Sequence, residues 1–261
     1  MTLIVDQWSI VAASLAGRAH QRARRGSDDV VCVRRGVCGG GSFVVAVVCD
    51  GCSAGGASGV GAGLGARFVA ADVARRVAAG ASLDDEFAGA VVDALVVELG
   101  RVAAACAVDD ERDVVADCLL FTVQVAVVVD DGAGSGGFLV FGVGDGVVGV
   151  DGAFFDVGGC VDGAPDCPAY RLLDDLRQHA TVRVHARGAT STLGWLVVGS
   201  DGAAEVADLS AFADDDALVR NPSLATKRLA ARGAAAPDDD CSFVVVRRAP
   251  ARIAEVTSCA S

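Results

Sequence analysis

Short runs of β-branched and small apolar residues recur along this chain, and several stop abruptly at an acidic residue. The run to build on is Ser42–Gly51, SFVVAVVCDG, which is apolar at successive positions until Asp50-Gly51. An uninterrupted run of this length and composition predicts a strand buried on both faces. Phe138–Asp145 (FLVFGVGD) and Trp195–Asp201 (WLVVGSD) repeat the pattern, ending at Gly144-Asp145-Gly146 and Asp201-Gly202. In mirror image, Asp238-Asp239-Asp240 immediately precedes the apolar run Cys241–Val246, CSFVVV.

The remaining segments fill in around these four. Trp8–Ala16 predicts an opening strand, Gly17–Arg25 (GRAHQRARR) a basic loop, and Val30–Val33 a short strand turned through Gly36–Gly41 into the central one. From about Gly61 to Arg76 the pattern is helical. Leu83–Val108 is a second helical stretch, with Ser82 as the expected N-cap and Asp84, Asp85 and Glu86 in its first turn, where the helix dipole favours acids. Small residues on both helices would let them pack closely. Asp117–Asp130 and Gly137–Gly144 predict a strand pair joined by the turn 131–136, and Gly146–Phe155 a hairpin turned at Asp151-Gly152. Cys160–Pro168 reads as a surface loop and Thr181–Ala186 as a half-exposed strand. Ala203–Arg232 should hold two or three short helices, one starting near Asn221-Pro222-Ser223, before the last strand, Cys241–Arg248. Tight turns between consecutive strands imply α+β layers with mainly antiparallel sheets. We expect one domain over residues 1–248 and a loose tail over 249–261.

Composition narrows the function. The chain of 261 residues is 52% hydrophobic, yet no uninterrupted apolar segment is long enough to span a bilayer. MTLIVDQWSI lacks the basic start and long apolar core of a secretory signal, so a cytoplasmic setting is expected. A net charge of −12 argues against a nucleic-acid surface. Of the ten cysteines, Cys49, Cys118 and Cys241 lie inside apolar runs, where a thiol behaves as a small core residue. Cys49-Asp50-Gly51-Cys52 has the C-x-x-C spacing of a redox pair or half a zinc site. No second C-x-x-C accompanies it, and His20, His179 and His185 stand at no useful spacing, which favours buried or incidental thiols.

The acidic strand ends carry the chemistry. An Asp-Gly pair alone is more often a turn, as expected of Asp131-Gly132 and Asp151-Gly152. Asp84, Asp85, Asp214, Asp215 and Asp216 read as solvated helix starts or faces. Several carboxylates at the ends of buried strands are different: such ends can converge on one rim, and carboxylates without matching bases suit hard divalent cations.

In this order the acidic stations resemble the metal-dependent protein phosphatases of the 2C (PPM) type, closest to their bacterial branch, from Trp8 to Arg248. Gly17-Arg18-Ala19-His20 and Asp28-Asp29-Val30 match the family's opening. Asp50-Gly51, Gly144-Asp145, Ser200-Asp201-Gly202 and Asp239-Asp240-Cys241-Ser242 match its later motifs. The resemblance implies a β-sandwich of two mainly antiparallel sheets with helices on both outer faces. It implies two Mn2+ or Mg2+ ions, with Asp50 bridging them, the Gly51 carbonyl on one, Asp201 and Asp239 completing a coordination sphere and Asp29 acting largely through bound waters. Asp145 is then the candidate for a third, weaker ion. Asp50 and Asp29 become the catalytic candidates, because ions held this way activate water for in-line attack on a phosphomonoester.

The implied substrate is a phosphoserine or phosphothreonine protein, with a cognate serine/threonine kinase as the opposing enzyme. Nucleic acid and membrane are not expected partners. Two departures stand out. Asp28 occupies a position usually held by Gln or Glu, which leaves it a metal-side role, and Cys52 replaces the His proposed as general acid in many relatives. Arg24, with Arg22 as competitor, is the candidate phosphate anchor; a solvated surface charge is the alternative for either. The alternative function is a regulatory, partner-binding domain of this fold without strong activity.

Overall fold

The computed structural model describes residues 7–53, 55–131, 136–158, 160–161, 164–206, 208–221, 223–231 and 237–249. In chain order the elements begin with β1 (Trp8–Leu15), α1 (Arg18–Ala23), β2 (Val30–Cys38), β3 (Gly41–Gly51), α2 (Ser58–Ala78), α3 (Asp85–Cys106) and α4 (Glu111–Cys118). They continue with β4 (Phe121–Asp130), β5 (Gly137–Val143), β6 (Val147–Val150), β7 (Ala153–Asp156), and the two-residue β8 (Cys160–Val161) and β9 (Ala164–Pro165). The last part holds β10 (Arg183–Ala189), β11 (Trp195–Gly199), α5 (Ser210–Asp214), α6 (Asp216–Arg220), α7 (Ser223–Ala230) and β12 (Cys241–Arg248).

Two five-stranded antiparallel sheets result, one ordered β1-β12-β11-β6-β7 and the other β10-β5-β4-β3-β2. The period of two along β3 explains why its sequence is apolar throughout. Phe43, Val45, Val47 and Cys49 pack with α2 and α3, whereas Val44, Ala46 and Val48 meet the other sheet. Along β12, Val244 and Val246 face that same central layer, while Cys241, Phe243 and Val245 pack against α5–α7. Three apolar layers therefore alternate with helix, sheet, sheet and helix, the architecture expected from the family resemblance.

Local differences have identifiable causes. Asp84, not Ser82, caps α3, accepting the Phe87 N–H at 2.8 Å from extended backbone, a cap worth about 1 kcal/mol. The basic loop contains α1, which buries no residue and so leaves no hydrophobic period to read. The strand expected from Asp117 begins at Phe121, because residues 111–118 form α4, capped by Asp110. β2 runs on to Cys38, so the hairpin turns only at Gly39-Gly40, both at positive φ. Residues 132–135 of the turn 131–136, residues 162 and 163 of the loop 160–168, Pro222 and the tail beyond Ala249 lie outside the described residues.

Strand register decides where the acids go. Val30 pairs with Cys49, Asp50 with Thr122 and Val123 with Val143. The start of β2 and the ends of β3 and β5 thus share one end of their sheet. In the other sheet Gly199 pairs with both Phe243 and Val147, which brings the end of β11 beside the start of β12.

Candidate metal centre at the end of the sandwich

The two sheet ends meet through Ser200. Its hydroxyl donates to Asp29 Oδ2 at 2.7 Å and accepts the Ser242 N–H at 3.0 Å, while its own N–H donates to the Ser242 carbonyl at 2.9 Å. Ser200 and Asp29 are both buried. Asp29 is the residue before β2, and β2 lies alongside the end of β3, so the Asp29 and Asp50 carboxyls interact directly. Asp50 also touches Asp201, which opens a 3-10 turn just past β11.

This crowding has an electrostatic signature. Burial pushes the Asp29 carboxyl up to about 7, opposed by the Ser200 and Asp50 contacts and reinforced by the charge of Asp240. Asp50 is held well above the usual carboxylate range by burial first, then by the charges of Asp29 and Asp201. Asp239, at the exposed rim, is raised by partial desolvation and by Asp201, against a 2.8 Å hydrogen bond from the Asp240 N–H. Asp29 Oδ1 is fully buried and has no hydrogen-bond donor among the described residues.

Carboxylates packed this way need either shared protons or a cation. Among the described residues no three His, Cys, Asp or Glu side chains already stand as a metal cage; Asp50 instead leans on Asp29 and Asp201. The donor set nevertheless suits a hard divalent ion. Its donors are carboxylate oxygens, and one buried oxygen, Asp29 Oδ1, has no hydrogen-bond donor among the described residues. Asp29, Asp50, Asp201 and Asp239 are among the side chains brought to this end, with Gly51 closing β3 beside them.

No protein-family model matches the chain, and no curated protein matches it by sequence. Solved structures do match. The serine/threonine phosphatase Stp1 from Staphylococcus aureus aligns with a TM-score of 0.57 at 11% identity, over 96% of this chain and 98% of that one. A bacterial serine phosphatase gives 0.57 at 11% identity, over 94% and 99%. The S. agalactiae serine/threonine phosphatase gives 0.53 at 14% identity, over 93% and 100%. The chain has the 2C-type phosphatase fold. At these identities the likeness is one of architecture, and it extends over nearly the whole of each partner.

Within this 2C-type sandwich the other sequence candidates are unevenly placed. Asp145 lies at the same end, partly buried, between Gly144 and Gly146, whose φ of 90° and 142° only glycine adopts freely. The buried Gln124 fixes that loop by donating to the Gly144 and Asp145 carbonyls at 3.3 and 3.0 Å. Arg22 and Arg24 are exposed on α1 and its left-handed C-cap, and neither makes a side-chain hydrogen bond or ion pair among the described residues. Arg25, which the sequence did not single out, reaches Asp28 at 3.2 Å. Cys49 and Cys52 do not form a paired site: the Cys49 side chain packs under α2 and α3, and both thiols are free. Sequence reasoning did not separate the buried Asp240 from the exposed Asp239 in their Asp-Asp-Asp run, and it saw Ser200 only as a motif letter.

Proposed function

We propose that this chain is a metal-dependent protein phosphatase that hydrolyses phosphoserine and phosphothreonine monoesters. The observation that carries the reading is the meeting of Asp29, Asp50 and Asp201 at one end of a 2C-type sandwich, with Asp29 Oδ1 left without a donor. Asp29, Asp50, Asp201 and Asp239, with the Gly51 carbonyl, would hold two Mn2+ or Mg2+ ions, and Asp145 a third. Bound there, divalent ions supply the positive charge that draws a proton from water near neutral pH and offsets charge on phosphoryl oxygens.

The chain's own residues set the frame for that chemistry. Asp50 contributes the central carboxylate, and Ser200 orients Asp29 beside it. Arg24 and Arg22 are uncommitted guanidiniums on the neighbouring helix, free to take two phosphate oxygens at once. Cys52 stands where many relatives carry the imidazole, so the leaving alkoxide takes its proton from water or from another group. The expected partners are a phosphoprotein substrate and its kinase. Among the described residues no helix is long and apolar enough to cross a membrane.

A second reading is a regulatory domain that keeps the fold and binds a partner. Cys52 in place of the imidazole favours it. Hydrolysis of p-nitrophenyl phosphate with and without Mn2+ separates the two. Mn2+-dependent turnover supports the phosphatase, and none at millimolar Mn2+ supports the regulatory domain.

A further inference from the structure

Asp239 and Asp240 are neighbours with opposite fates. Asp239 is exposed at the rim, whereas Asp240 is only 4% exposed. A buried carboxylate is costly unless donors surround it, and Asp240 is surrounded. Its Oδ1 accepts the Gly17 N–H at 2.6 Å, its Oδ2 accepts the Asp28 N–H at 2.6 Å, and His20 Nδ1 lies 2.9 and 2.8 Å from the two oxygens. All these donors come from Gly17–Asp28, the segment that leads into Asp29.

The segment is also tied to the acidic run by Arg18, whose Nε donates to Asp238 Oδ1 at 2.6 Å. Its helix, α1, buries no residue, so apolar packing does not fix it to the sandwich. The approach is nevertheless close: a Cβ at Gly17 would lie 2.4 Å from the Asp239 carbonyl carbon and 2.6 Å from the Asp238 oxygen. The far end is braced as well. Asp28 Oδ2 lies 3.2 Å from Arg25 and 3.6 Å from His20 Nε2. One residue later, Asp29 reaches across to Ser200 and Asp50.

We propose that Asp240 is a positioning residue for the metal centre: by gripping both ends of Gly17–Asp28, it sets the backbone from which Asp29 reaches Asp50. This rests on the metal-centre reading above and adds a division of labour within the acidic run, with Asp239 as ligand and Asp240 as latch. A latch of this kind acts without touching metal or substrate.

The test compares wild-type protein with Asp240→Ala and Asp240→Asn. In metal-free protein, amide hydrogen exchange at Gly17 and Asp28 should speed up at least tenfold in Asp240→Ala, with β3 and β4 keeping wild-type rates. The Asp29 carboxyl resonance should move in the same sample. Calorimetric titration should show the Mn2+ Kd raised tenfold or more, and Asp240→Asn, which keeps one acceptor oxygen, should fall between. Wild-type Mn2+ affinity in Asp240→Ala despite released amides would overturn the proposal, as would fast exchange at both amides in the wild type. If the wild type binds no Mn2+, the metal-centre reading fails separately; the latch is then judged on the Asp29 resonance, supported if it moves and overturned if it does not. Should Asp240→Ala not fold, Asp240→Asn is judged by the same criteria.

Discussion

The Ser200 hydroxyl donates a 2.7 Å hydrogen bond to Asp29 Oδ2, joining a residue at the end of one sheet to a residue at the start of a strand in the other. Because Ser200 Oγ also accepts the Ser242 N–H, Ser200→Ala strands two buried groups at once. The expected loss is about 1–3 kcal/mol, the cost of leaving buried polar atoms unpaired. Urea denaturation measures it. Unchanged stability would mean that water takes the place of the hydroxyl and that the two sheet ends are not fastened here.

Metal-free protein should lose stability as pH rises from about 4 to 7, most steeply above about 6.5. Asp29 and Asp50 are raised in the folded state, so over this range the folded protein holds protons that the unfolded chain has released. Each extra proton held costs about 1.4 kcal/mol of stability per pH unit of rise. Below 6.5 the buried His185 works the other way. Burial lowers it to about 4, so it favours folding as pH rises from 4 to 6.5 and offsets only part of the carboxyl effect there. In EDTA, Tm should fall between pH 6.5 and 8, and saturating Mn2+ should flatten the fall by replacing the protons. A Tm that climbs over that interval in EDTA would contradict the electrostatic picture.

The strands that build the site were legible because a strand buried on both faces writes itself as a continuous apolar run. Asp50, Asp201 and Asp239 could be read from the ends of such runs. What could not be read depends on contacts distant in sequence. Nothing local marks Gly17 as the donor to Asp240, and an Asp-Asp-Asp run does not say which member is buried. α1 was missed because it buries nothing, and α4 because eight residues with few apolar positions show no period. Ser82 and Asp84 are both good caps, and only the observed backbone separates them.

The thiols should be chemically quiet. Burial pushes Cys49 and Cys167 well above the usual thiol range, and the thiolate is the reactive form. A chromogenic disulfide reagent at pH 7.5 should label the exposed Cys106 promptly and reach Cys49 and Cys167 only on unfolding. Cys52→Ser should keep most activity and the full Mn2+ affinity. Stoichiometric zinc released by thiol reagents would instead restore the thiolate reading of C-x-x-C.

Arg24→Ala should raise KM for a phosphopeptide about tenfold, a loss near 1.4 kcal/mol, with Mn2+ affinity unchanged. Arg22→Ala run in parallel identifies which guanidinium carries the contact. If neither variant moves KM or kcat, both arginines are solvated surface charges and phosphate is held without them.

The central claim is that the carboxylates gathered around Asp50 hold divalent ions for phosphoester hydrolysis. Phosphate release from a phosphothreonine peptide, followed as Mn2+ is added back to EDTA-stripped protein, tests it most directly. The account predicts no release by the stripped protein, saturable recovery with Mn2+, and no recovery in a folded Asp50→Asn variant. Turnover that survives exhaustive EDTA treatment, or an Asp50→Asn protein that recovers with Mn2+ like the wild type, would contradict it.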